Sequence, residues 1–264
     1  MVINNKTMTK TFFSANSFAL ACSLSIFSST AMAGIDIARI EFEDENFKRC
    51  VLSTNQTNTD QVKQLSCVKK DIGSVAELKY FTQLESLDLT NNVIYDIDLS
   101  QNKKLKNLTL KNNLFESVDI SQNIDLIKLN FTKNDLYKID LSHNPQLESV
   151  DLAKNQLSEV DTRGNQYLSD LEVSHNKLAF LDVSHNALLS SLTARHNQLT
   201  QLKLPTTETL SLINLNNNQL QSVTLPAQDK SYAALTIRSN PLTSASKDDL
   251  DAWAKAVEGR KVMY

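Results

Sequence analysis

Glycine is scarce in this chain: 264 residues carry four glycines, four prolines, three cysteines and a single tryptophan. No phosphate-cradling glycine loop, no nucleophile elbow, no HExxH and no CxxC occurs in it. With no second domain left over to host chemistry, the sequence reads as non-enzymatic and calls for no cofactor. Beyond the first 33 residues no stretch is apolar enough to span a bilayer. Excess positive charge is missing too. The net charge is −3, which argues against nucleic acid or an anionic membrane as partner.

What the chain has is repetition. A phrase of spaced leucines closed by asparagine recurs as LESLDLTNN at Asn92, LKNLTLKNN at Asn113, LIKLNFTKN at Asn134 and LESVDLAKN at Asn155. LSDLEVSHN follows at Asn176, LSSLTARHN at Asn197, LSLINLNNN at Asn218 and YAALTIRSN at Asn240, stepping by 21 residues and finally by 22. A second asparagine series lies between them at Asn102, Asn123, Asn144, Asn165 and Asn186, in DLSQN-like phrases. A fixed period of this length predicts a solenoid, one supersecondary unit per repeat. In LTL or VDL the flanking apolar side chains share one side of a strand and the middle one faces out. A 21-residue coil is too short for a helix, a strand and their turns, so two extended segments joined by two corners are expected. With glycine scarce, asparagine must carry the corners, tolerating left-handed backbone and bonding orphaned peptide groups.

The paired half-repeats, L-x-x-L-x-L-x-x-N-x-L and L-D-V-S-x-N, resemble the bacterial internalin-J-like leucine-rich-repeat proteins over about residues 62–242. The resemblance implies a leucine-rich-repeat solenoid of short-strand, 21-residue coils. That family often carries a cysteine ladder. Here Leu89, Leu110, Phe131, Leu152, Val173 and Ala194 fill the position, after one cysteine, Cys67.

The ends read differently from the middle. Residues 1–33 have Lys6 and Lys10, an apolar FALACSLSIF and Ala31-Met32-Ala33 before Gly34, the form of a secretory signal peptide. Its removal would leave 25 basic and 30 acidic residues, net −5, in an exported chain: secreted, periplasmic or on the cell surface. The expected divisions are a signal at 1–33, an N-terminal cap at 34–61, repeats at 62–243 and a C-terminal cap at 244–264. Cys50, on a helical stripe with Phe47 and Val51, is expected to bridge to Cys67 in the first coil. At the other end Ser246 and Asp249 resemble a capping box, with Leu250, Trp253, Ala254 and Val257 as the cap's apolar stripe.

Two columns invite metal chemistry. His175 and His196 occupy equivalent positions in successive coils, with Glu172 nearby, and could hold zinc; solvated corner residues are the simpler reading. Asp98, Asp119, Asp140, Asp161 and Asp182 form one outward column whose mutual repulsion needs relief from calcium, from raised pKa values, or from hydrogen bonds to serine hydroxyls and backbone. Hydrogen bonding is the expected answer, and no metal site is assigned.

What remains is surface. The outward column of the first-half strands reads Asp88, Thr109, Asn130, Asp151, Glu172, Thr193, Asn214 and Thr236. It varies from coil to coil and carries no aromatic, which disfavours sugar stacking and favours a polar protein interface. The expected ligand-binding residues are Asp151, Asp170 and Glu172 as a negative patch, with Lys154, His175 and Arg195 at its edge. An unknown protein, a host or envelope component included, is the expected partner. The alternative is a structural or metal-binding envelope protein using calcium or zinc.

Overall fold

The computed structural model describes residues 34–264 except 208, 226–233 and 258. The segment read as a signal peptide, and Pro226, lie outside the described residues. After a 3-10 turn at Ile37–Arg39 comes helix α1 (Glu45–Leu52), N-capped by Asp44, whose Oδ1 accepts from Asn46 N at 2.8 Å and Phe47 N at 2.9 Å. Its stripe of Phe47, Cys50 and Val51 is buried. Cys50 is disulfide-bonded to Cys67 with their Cα atoms 5.7 Å apart, which pins the helix onto the first coil as expected.

Three-residue strands then recur: β1 (Gln64–Ser66), β2 (Ser86–Asp88), β3 (Asn107–Thr109), β4 (Lys128–Asn130), β5 (Ser149–Asp151) and β6 (Asp170–Glu172). They continue as β7 (Phe180–Asp182), β8 (Ser191–Thr193), β9 (Gln201–Lys203), β10 (Leu212–Asn214) and β11 (Ala234–Thr236). After helix α2 (Ser244–Ala256) comes β12 (Lys261–Met263). Ten of these form one parallel sheet in the order β1-β2-β3-β4-β5-β6-β8-β10-β11-β12. The central residue of each first-half strand, from Leu65 and Leu87 to Ile213 and Leu235, is buried. Each such side chain withdrawn from water contributes about 1.5–3 kcal/mol, which a lone coil could not collect. The position of the missing cysteine ladder is filled inside by Leu89, Leu110, Phe131, Leu152, Val173 and Ala194, each at most 1% exposed.

The corners work by a division of labour that the sequence does not spell out. Left-handed backbone falls on the residue before each first-series asparagine: Asn91, Asn112, Lys133, Lys154, His175, His196, Asn217 and Ser239, with φ between 54° and 59°. The asparagine itself turns inward and bridges coils. Asn113 Nδ2 donates to Leu89 O at 2.9 Å and Leu110 O at 3.0 Å, while its Oδ1 accepts from Ile94 N at 3.2 Å. The second series does likewise: Asn123 Nδ2 donates to Leu99 O and Asn102 O at 3.1 and 2.9 Å. Buried carboxamides thus satisfy the peptide groups that sharp turns leave over.

Three expectations need correction. Among the described residues the second-half segments pair as strands only at β7 and β9, a separate two-stranded sheet; the segments at 97–99, 118–120, 139–141 and 160–162 form no ladder. Thr243, not Ser246, caps α2, its Oγ1 accepting from Ser246 N at 3.1 Å. Trp253 is half-buried rather than core: Arg260 lies over its ring at 4.6 Å, and Leu250 alone of the apolar stripe is buried. The exposed edge of β11 is covered by β12, which pairs with it in parallel, so a strand as well as a helix closes that end.

Candidate functional site

Strand register brings the acidic residues of the candidate site together. Asp151 and Glu172 are direct partners across β5 and β6, and Asp170 faces Ser149 on one side and Ser191 on the other. Asp170 and Glu172 are two residues apart on one strand and so share its outer face. None of the three forms an ion pair among the described residues. Burial pushes the Glu172 carboxyl above its usual pKa; hydrogen bonds from Ser174 oppose this, and the Asp151 charge adds to it.

Part of this face serves the backbone. Glu172 Oε1 accepts from Ser174 N at 2.7 Å, and Asp151 Oδ1 from Ala153 N at 3.1 Å. Asp88 and Asn130 cap Thr90 N and Thr132 N in the same way at 2.9 and 3.0 Å. Ser174, two residues after Glu172, is 1% exposed. The variable column is therefore only partly free for a ligand, and Asp170, beside it, is the one exposed acid of the three.

Lys154 and His175 lie at the edge of that face, and Arg195, exposed one residue before the corner, is close enough to lower the Glu172 pKa. Lys154 and His175 occupy left-handed corner positions, held by Lys154 N to Ser174 O at 2.8 Å and His175 N to Arg195 O at 2.9 Å. The His175 and His196 rings stack with centroids 4.3 Å apart and planes at 14°. Stacked rings aim their nitrogens alongside one another rather than at a common point. No group of three or more metal-ligating side chains is placed to hold an ion among the described residues.

The aspartate column resolves through hydrogen bonds. Oδ1 of Asp98, Asp119, Asp140, Asp161 and Asp182 each accepts from the amide two residues on, at 2.8–3.0 Å. Those bonds, with the serine hydroxyls or Arg163, hold all five carboxyls below their usual pKa, Asp161 at about 2. Resident cations assist at one end, where Arg163 meets Asp161 at 2.6 Å and Lys203 meets Asp182 at 3.2 Å. A surface cavity of about 510 Å³ opens on this side of the coil, lined by Val118, Ile139, Asp119, Asp140, Lys138 and Glu159 among others.

The chain superposes on the functional domain of internalin J from Listeria monocytogenes with a TM-score of 0.64 and 26% identity, over 81% of this chain and 55% of that one. That domain includes a cysteine ladder, where this chain stacks leucine, phenylalanine and valine. The architecture is that of an internalin-like leucine-rich-repeat protein. Internalin C2 of the same species matches with a TM-score of 0.62 at 20% identity, over 75% of this chain and 94% of that one. A leucine-rich-repeat protein of Leptospira interrogans matches with 0.59 at 21%, over 78% and 62%. The chain thus spans less than two thirds of the internalin J and Leptospira domains. No protein-family model matches it, and no curated protein matches it by sequence.

Within this leucine-rich-repeat frame, no helix of the described residues is long and apolar enough to cross a membrane. Exposed rings lie off the strand face, at Tyr95, Tyr137 and Tyr167, between 52% and 72% exposed. Their signal in the sequence is an aromatic in the outward slot just after a corner asparagine or within the second corner.

Proposed function

We propose that this is an exported, non-catalytic recognition module that binds a protein partner through its first-half strand face, centred on Asp151, Asp170 and Glu172. One observation carries the reading: three adjacent carboxylates on a rigid parallel sheet have no neutralising ion pair among the described residues, so they attract a basic surface on another protein. The buried Cys50–Cys67 bridge supports export, because such bonds persist in oxidising compartments. Internalin-like neighbours add fold-level support only.

The test is capture of partners by the full chain from an envelope fraction, comparing wild type with Asp170→Lys combined with Glu172→Gln. Glutamine keeps the acceptor that Glu172 offers Ser174 N, so the melting temperature should hold or rise. Captured protein should fall at least tenfold, while Asp119→Asn with Asp140→Asn on the other face should capture normally. Equal capture by the Asp170/Glu172 variant would overturn the proposal.

A further inference from the structure

Lysine is a poor occupant of left-handed backbone, where Cβ crowds the next carbonyl oxygen and asparagine or glycine is at ease. The corner column uses asparagine at 91, 112 and 217, yet Lys133 and Lys154 hold it at φ 59°, followed by His175 and His196. Four successive coils thereby present one cationic or titratable group each, about 4.8 Å apart per step. Lys111 and Arg195 stand exposed one residue before the same column. None of Lys111, Lys133, Lys154 and Arg195 forms an ion pair among the described residues, whereas Lys106, Arg163 and Lys203 do. The fields of this group overlap: after burial, His196, Arg195 and Lys154 each push the His175 pKa down. Strained backbone retained at unpaired, like-charged side chains points to use rather than to stability.

We infer that this corner ridge is a docking edge for a linear anionic polysaccharide, whose carboxylates or sulfates meet Lys133 and Lys154 in successive coils with Lys111 and Arg195 flanking. The ridge borders the strand face, but its binding rests on the corner cations and not on Asp151, Asp170 or Glu172. A row of cations without an enclosing pocket suits a polymer better than a single anion. A pyranose ring spans about the step between coils, so charges carried sugar by sugar recur at a matching pitch. Recognition by charge needs no stacked aromatic, which is why the lack of rings on the strand face does not bear on it. A wide duplex would meet Asp135, Asp151 and Glu172 beside the ridge on a chain of net charge −3. Single-stranded nucleic acid would need free aromatic platforms, and the two rings present are stacked on each other.

The full chain is titrated at low salt into fluorescently labelled heparin and, separately, labelled polygalacturonate, which distinguishes sulfate from carboxylate recognition. Binding of at least one at micromolar protein is expected. It should weaken at least tenfold in Lys133→Asn with Lys154→Asn, while the melting temperature holds or rises, because asparagine suits the left-handed slot. Asp170→Lys with Glu172→Gln should bind at least as well as wild type, so failure here and failure of the protein-binding proposal are read on different variants. The inference is overturned if neither polysaccharide binds, if the lysine variant binds like wild type, or if polyglutamate or duplex DNA binds more tightly than both.

Discussion

Thr162 donates its hydroxyl to Oδ1 of Asn186 at 2.7 Å, with both residues at most 1% exposed. In neighbouring coils Leu99, Ile120, Leu141 and Val183 stand where Thr162 stands. The corresponding oxygens of Asn102, Asn123, Asn144 and Asn165 are buried with no donor among the described residues. A hydrophobicity scale would favour Thr162→Val. We expect the opposite, a loss of about 1–2 kcal/mol, because the substitution strands a buried acceptor. Urea denaturation decides it; an unchanged or higher midpoint would contradict the role given to this hydroxyl.

Asn144 holds two coils at once, donating to Ile120 O at 3.0 Å and Asn123 O at 2.9 Å from a fully buried side chain. Asn144→Ala should cost about 2–3 kcal/mol, since two buried carbonyls lose a donor. Replacing exposed Asn107 by alanine should cost under about 0.5 kcal/mol. Similar losses at the two sites would refute the corner-bridging account.

The Cys50–Cys67 bridge closes a loop of sequence separation 17 between α1 and β1. Cys50→Ser with Cys67→Ser should destabilise the chain by about 2–4 kcal/mol, chiefly by freeing the unfolded state. The loss should appear first as amide exchange in α1, because the disulfide ties that helix to the solenoid. Unaltered protection of residues 45–52 in the variant would show the helix docks by packing alone.

Acid should weaken the aspartate face. Folded-state pKa values of Asp98, Asp119, Asp140, Asp161 and Asp182 lie below the unfolded value, Asp161 at about 2. Their contribution is therefore complete above about pH 4 and is lost as pH falls towards 2. These side chains are largely exposed, so the effect is modest and salt-sensitive. Asp119→Asn with Asp140→Asn keeps the acceptor for the amides of Ser121 and Ser142 but cannot titrate. Its urea midpoint should fall less steeply between pH 4 and 2, and an acid limb parallel to wild type would count against this linkage.

Glu172 has the opposite sign. Its pKa is raised, mainly by burial, so stability associated with it is full below about pH 4.3 and lost as pH rises through the folded value. Glu172→Gln retains the bond to Ser174 N and should gain stability at pH 7 relative to wild type, with the gain vanishing near pH 3.5. Equal midpoints at pH 7 would mean the carboxylate is better solvated than its half-buried position indicates.

Much of the fold was legible because strand alternation is local physics. Leu87 and Leu89 must share a side, Asp88 must take the other, and a 21-residue repeat of that rule forces stacking. The inward columns, the corner asparagines and the pairing of Cys50 with Cys67 all follow from such nearest-neighbour constraints. The candidate site was legible only as columns: Asp151 beside Glu172 is a matter of period, and register agreed. The tertiary structure alone decided what depends on competition between equivalent groups in different coils. It put left-handed backbone on Lys133 and His175 rather than on Asn134 and Asn176, because the asparagine carboxamide is worth more turned inward onto buried carbonyls. It spent Glu172 Oε1 on Ser174 N, left the segments around Asp119 and Asp140 without a ladder, and capped α2 with Thr243 instead of Ser246. It also laid Lys261–Met263 along β11 with Arg260 over Trp253. Periodicity specifies which side of the coil a residue occupies; only packing between coils specifies which partner it keeps.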